Sequence, residues 1–133
     1  MDKPKILIVD DEIEVVDRIK NFLARNIECD IQKAYSGKQA LNIINEEVFD
    51  LILLDIKMPG ISGIDVLKKV KATNPETDVL MITAYDSQQV AREALKEGAV
   101  DYIIKPSTID VIQSKVKHLL EGKNKYLPKD IKK

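Results

Sequence analysis

Short apolar runs alternate along this chain with longer stretches in which apolar residues recur at helical spacing. Lys5 to Val9 (KILIV) and Leu51 to Leu54 (LILL) are unbroken and brief, which predicts strands buried on both faces. Val79 to Thr83 and Asp101 to Ile104 read as two further strands, and the more polar Asp30 to Tyr35 as a strand nearer an edge. Between them, Glu12 to Arg25 carries Ile13, Val16, Ile19 and Leu23 on one helical face. Lys38 to Glu46 turns Ala40, Leu41 and Ile44 inward, and Gly63 to Ala72, Gln88 to Glu97 and Thr108 to Leu120 supply three more helices. Asn74-Pro75 closes the third helix, and Gly98 is expected as a left-handed cap on the fourth. Each helix start offers a capping side chain followed three residues later by an acid or a glutamine: Asp11 and Glu14, Ser36 and Gln39, Ser62 and Asp65, Asp86 and Gln89, Ser107 and Asp110. That spacing suits a reciprocal capping box.

Five strand-helix units with short connections predict an α/β fold, with parallel strands, right-handed crossovers and helices on both sheet faces. The 133 residues suffice for one domain with a sizeable core. A net charge of −1 argues against a polyanion binder, so no direct nucleic-acid binding is expected. The charge is uneven: from Glu121 onward there are five lysines against Glu121 and Asp130. Residues 1–121 therefore read as the domain and 122–133 as a basic tail or linker, with Lys123 to Lys133 frayed. The single Cys29 has no internal disulfide partner and fits a reducing compartment. No apolar run is long enough to span a membrane and no signal-peptide pattern is present, so a cytoplasmic protein without a membrane partner is expected.

The candidate chemistry lies where strands end. In open parallel sheets ligands bind at the carboxyl ends of the strands. The first strand ends at Asp10 and Asp11, the third at Asp55, the fourth at Thr83 and the fifth at Lys105. Singly, each has a plain structural role open to it. Asp11 can cap the first helix, Asp10 can be a solvated loop acid, Thr83 can cap a turn, Lys105 can be solvated beside Pro106, and Tyr102 can be core. Together they form a crevice with three carboxylates, which repel one another unless a cation is present. Hard oxygen ligands suit Mg²⁺, and a lysine with a threonine hydroxyl suits the oxygens of a phosphoryl group. A carboxylate beside such an ion can be the nucleophile that forms an acyl phosphate.

Four segments carry a family resemblance: VDD at Val9 to Asp11, LLDIKMPG at Leu53 to Gly60, TAY at Thr83 to Tyr85 and YIIKP at Tyr102 to Pro106. From about Lys5 to Leu120 the chain resembles a receiver domain of the two-component response regulators, the CheY-like proteins. The resemblance implies a doubly wound, flavodoxin-like (βα)5 fold with a five-stranded parallel sheet in the order 2-1-3-4-5. It implies that Asp55 is the phosphoacceptor, served by a histidine kinase, a phosphotransfer protein or a small phosphodonor. Asp11 and Asp55 would ligate Mg²⁺ directly, Lys57 through its backbone carbonyl and Asp10 through water. Thr83 and Lys105 would grip the phosphoryl oxygens, Tyr102 would be the switch that follows Thr83, and Lys105-Pro106 would be cis. Lys57 and Tyr85 would shield the acyl phosphate and tune dephosphorylation. Output would leave through the fourth helix, last strand and last helix, to a receiver homodimer, another partner, or an output domain beyond Lys133. Apart from its own phosphorylation and autodephosphorylation the domain would not be an enzyme. One departure is Ser107, where most members carry a large apolar residue. A phosphohydrolase of the haloacid dehalogenase type would need a second Asp two residues after the nucleophile, and Lys57 stands there. A nucleotide-binding domain would need a glycine-rich phosphate loop, which is missing.

Overall fold

The computed structural model describes residues 2–84 and 88–129. Its elements run β1 (Lys5–Val9), α1 (Ile13–Asn26), β2 (Asp30–Ala34), α2 (Gly37–Glu46), β3 (Leu51–Leu54), α3 (Gly63–Thr73), β4 (Asp78–Thr83), α4 (Gln88–Lys96), β5 (Asp101–Ile104) and α5 (Ile109–Gly122). All neighbouring strands are parallel, and the sheet order is β2-β1-β3-β4-β5, the doubly wound order that the resemblance implied.

The apolar runs explain why the sheet lies in the middle. Side chains alternate along a strand, so a run with no polar position must meet apolar partners on both sides. Leu7, Val9, Ile52, Leu54, Val79 and Met81 enter one core with Ala40, Ile44, Leu67, Val70 and Ala94 from α2, α3 and α4. Ile6, Ile8, Leu51, Leu53, Leu80 and Ile82 enter the other with Val16, Ile19, Leu23, Ile112, Val116 and Leu120 from α1 and α5. Every residue of β3 is buried. Each such leucine contributes about 1.5–3 kcal/mol by leaving water. β2, with one fully buried residue, is an edge strand as its polarity suggests.

The strand register fixes the residue that follows each strand. The Asp10 amide donates to the Ala34 carbonyl at 3.2 Å, the Asp55 amide to Val9 at 3.0 Å, and the Lys105 amide to Thr83 at 2.7 Å. The backbone under these three side chains is thus still hydrogen-bonded to the neighbouring strand, although the ladder has ended.

The helix starts divide. Ser36 accepts from the Gln39 amide and Ser62 from the Asp65 amide, as expected. The other two described starts differ. The residue that caps α1 is Glu12, without a side-chain bond, and Asp10 rather than Asp11 accepts the Glu12 amide, at 3.0 Å. α5 is capped at Thr108 and not Ser107, again without a side-chain bond. The Asp86 cap lies outside the described residues. Gly98 ends α4 at φ +110°, a backbone region open to glycine at little strain. Lys105-Pro106 is cis.

The polar stretch after α5 is not frayed as far as it is described. Lys129 and Glu28 donate backbone hydrogen bonds to Asn26 and Leu127 respectively, tying residues 127–129 to the loop between α1 and β2.

Candidate functional site

Asp10, Asp55 and Thr83 are 4%, 5% and 0% exposed, and they lie together at the carboxyl edge of the sheet. Such burial of two carboxylates requires partners. Lys105 supplies them: its Nζ lies 2.5 Å from Asp10 Oδ2 and 3.3 Å from Asp55 Oδ2, bridging the ends of β1 and β3 from the end of β5. Asp55 Oδ1 also accepts the Lys57 backbone N–H at 3.3 Å, and the Thr83 side chain is hydrogen-bonded to the same carboxylate. Asp11 is exposed, and its carboxylate makes no hydrogen bond or ion pair among the described residues. Single carboxylate oxygens of Asp10, Asp11 and Asp55 all lie within 4.8 Å of one another.

The structure therefore brings together the five strand-end residues that the sequence singled out. All of them but Asp10 line an open cleft of about 540 Å³, with Glu12, Lys57 and Met58 among its other walls. The Lys57 side chain is exposed at its rim. Tyr102 is half-buried on β5 against the core shared with α2, α3 and α4. It pairs in register with Met81, two residues before Thr83, so Tyr102 and Thr83 point to the same face of the sheet. Tyr85 lies outside the described residues.

The charges are unbalanced. Burial pushes the Asp55 carboxyl up; the Thr83 hydrogen bond and the Lys105 charge pull it back, Asp10 adds repulsion, and the net position is above the ordinary carboxylate value. Burial lowers the Lys105 ammonium, but the hydrogen bond to Asp10 and the charge of Asp55 outweigh it and hold the group above its ordinary value. Lys105 is thus a fixed cation. Three carboxylates against the one ammonium paired with them leave net negative charge, and the three offer only oxygen ligands. Asp10, Asp11 and Asp55 therefore fit a hard divalent cation.

Two contributors were not found in the sequence. Glu12 places Oε1 3.8 Å from Lys105 Nζ; its position directly after Asp10-Asp11 was a signal, but it read as the first residue of a helix. Gly63 lies against the backbone of the phosphoacceptor candidate: a Cβ there would come 2.0 Å from the Asp55 carbonyl oxygen. Its amide donates to the Ile56 carbonyl at 2.8 Å, so α3 begins in contact with the loop that carries Asp55. Nothing in the local pattern separates this close-approach glycine from an ordinary helix start.

Comparison with known proteins agrees with this geometry. The family model described as response regulator receiver domain matches residues 6–117. The transcriptional regulatory protein ZraR of Escherichia coli is 44% identical over 119 residues, which cover 90% of this chain and 27% of that protein. The chain thus spans about a quarter of that relative's length. The sporulation initiation phosphotransferase F of Bacillus subtilis is 37% identical, over 93% of this chain and 94% of its own. Among solved structures, a CheY-like response regulator receiver domain protein from Methanospirillum hungatei superposes with a TM-score of 0.87 at 32% identity, covering 93% of this chain and 98% of that one.

Proposed function

The chain belongs to the response regulator receiver family of two-component systems, and we propose that Asp55 is its phosphoacceptor. The observation that carries this reading is the convergence on Asp55 of Lys105, Thr83, Asp10 and Asp11 at the end of a fully buried strand. An Asp55 carboxylate oxygen forms a bond to phosphorus as the bond from phosphorus to the donor breaks. The leaving electron pair goes to an imidazole nitrogen when the donor is a phosphohistidine, on a histidine kinase or a phosphotransfer protein. Lys105 holds one phosphoryl oxygen by charge and the Thr83 hydroxyl donates to another. Asp11 and Asp55 would hold Mg²⁺ directly, with the Lys57 backbone carbonyl, and Asp10 would act through water. When bound, the ion supplies neutralisation of the charge that gathers on the phosphoryl oxygens. The exposed Lys57, with Tyr85, slows loss of the phosphoryl group.

The signal leaves through α4, β5 and α5. Thr83 and Tyr102 share a sheet face, so a shift of Thr83 toward a phosphoryl group changes the space beside Tyr102. Leu95, Val100, Ile104 and Val111 are 47%, 42%, 45% and 45% exposed on or beside these elements, apolar side chains open to a second receiver or another partner. Residues 1–121 form the receiver proper, with 122–133 as a tail that can lead to an output domain. No described helix is long and apolar enough to cross a membrane, and we place the protein in the cytoplasm.

The test is intact mass after incubation with Mg²⁺ and acetyl phosphate. The parent gains one phosphoryl group and Asp55→Ala gains none. Equal incorporation by Asp55→Ala overturns the assignment.

A further inference from the structure

The geometry of residues 123–129 points to a clasp. We propose that this segment ends α5, turns the chain back across the loop between α1 and β2, and fixes the point from which the remaining chain leaves the domain. The turn is made by Asn124 at φ +57°, the one described non-glycine residue in the left-handed region. Around it, the Lys125 amide donates to the Leu120 carbonyl at 2.8 Å and the Asn124 amide to Glu121 at 3.1 Å. A left-handed residue with a bond reaching back five positions is a helix stop, so α5 does not run on as a helix.

Beyond the turn the backbone is paired. The Glu28 amide donates to Leu127 at 2.7 Å and the Lys129 amide to Asn26 at 3.0 Å, on either side of an antiparallel bridge between Ile27 and Pro128. Ile27 is buried, so its loop is a firm anchor. Tyr126 packs against the core under α1 and α5, with the Lys117 ammonium 5.4 Å from the centre of its ring. The three described lysines of the tail are engaged by the body. Lys123 Nζ donates to the Glu76 carbonyl at 2.6 Å, Lys125 Nζ lies 3.5 Å from Asp50 Oδ1, and Lys129 Nζ donates to the Ala24 carbonyl at 3.0 Å. All these partners sit at the amino ends of the strands or the carboxyl end of α1. The clasp therefore ties the last turn of α5 to α1 on the side opposite Asp55. Anything attached further along leaves beside α1 and β2, and is not carried as a straight continuation of α5.

Native-state hydrogen exchange on the full chain tests this. The amides of Glu28, Lys125 and Lys129 are expected to exchange at least about a hundredfold more slowly than free peptide. Tyr126→Ala removes the packed ring, and Asn124→Val puts a β-branched residue into the left-handed region. Both should speed exchange at Glu28 and Lys129 by about tenfold or more, while phosphorylation from acetyl phosphate stays unchanged. Asn124→Gly, which accepts the same backbone, should retain the protection. Free-peptide rates at these amides in the parent overturn the clasp. So does unchanged protection in both Tyr126→Ala and Asn124→Val.

Discussion

Asp55 is held in surroundings that disfavour its charge. Its folded pKa lies above the ordinary value of 3.8, with burial the largest cause. The folded chain thus binds that proton more tightly than the unfolded chain. Stability from this group is fully present below 3.8 and is lost as pH rises through the folded value. At neutral pH the ionised carboxylate is therefore a cost of the site. Asp55→Asn is expected to melt above the parent by ~3–5 °C at pH 7 in chelator, with the gap closing as pH falls toward 4. An amide oxygen still accepts from Lys105, whose bond to Asp10 at 2.5 Å is retained. A thermal scan across pH checks this, and an Asp55→Asn variant that melts at or below the parent at pH 7 refutes it. Lys57 stands at the rim of the same cleft with an exposed side chain. If Asp55 is the phosphoacceptor, as proposed, water must approach the phosphorus opposite the Asp55 oxygen, where a long cationic side chain would obstruct it. Lys57→Ala should speed loss of the phosphoryl group by roughly threefold to tenfold, which is about 0.7–1.4 kcal/mol off the barrier. Decay followed by intact mass decides; no acceleration removes the role.

At the scale of elements, β1, β3 and β4 were legible because a short apolar run bounded by turn residues marks a strand buried on both faces. LILL at β3 and KILIV at β1 have the bounds expected of them. Caps were less legible, because a side chain that can cap a helix can be taken by a stronger claim. Asp10 accepts the Glu12 amide, so α1 starts without Asp11, and the Asp11 carboxylate lies instead in the acidic cluster. Ser107 is similarly passed over for Thr108. By contrast Ser36 takes the Gln39 amide at 3.1 Å, while Gln39 Oε1 reaches back to the Tyr35 amide at 2.7 Å. The consequence is a contrast between two serines that look alike in sequence. Ser36→Ala should cost about 1 kcal/mol, and Ser107→Ala less than about 0.5 kcal/mol. Urea denaturation of both variants measures this, and equal losses would contradict the cap assignment.

Across the whole molecule, alternation of elements was enough to expect a parallel α/β sheet, but not the strand order. The order 2-1-3-4-5 came from the resemblance carried by the motifs, because five interchangeable βα units do not themselves say which strand pairs with which. The docking of residues 123–129 was not legible either: it rests mainly on backbone hydrogen bonds and lysine contacts, which leave no hydrophobic pattern. The same division of the molecule sets the last prediction. Acidic groups are gathered at the carboxyl edge of the sheet, where Asp10, Asp11 and Asp55 cluster and Lys105 pairs with Asp10 and Asp55, while Lys123 and Lys125 pair with Asp78 and Asp50 at the opposite edge. The excess negative charge at the first edge opposes folding until a cation binds it. A cation that binds only the folded chain stabilises it by mass action, about 1.4 kcal/mol at tenfold its dissociation constant. Mg²⁺ should then raise the melting temperature by roughly 3–6 °C. NaCl at matched ionic strength should give much less, because screening acts on all charges and not on a cluster 4.8 Å across. Asp11→Ala removes one exposed charge of that cluster, so the variant should melt at or slightly above the parent in chelator yet lose most of the Mg²⁺ shift. A full shift in Asp11→Ala, or its reproduction by NaCl, would show that the three acids do not form one cation site.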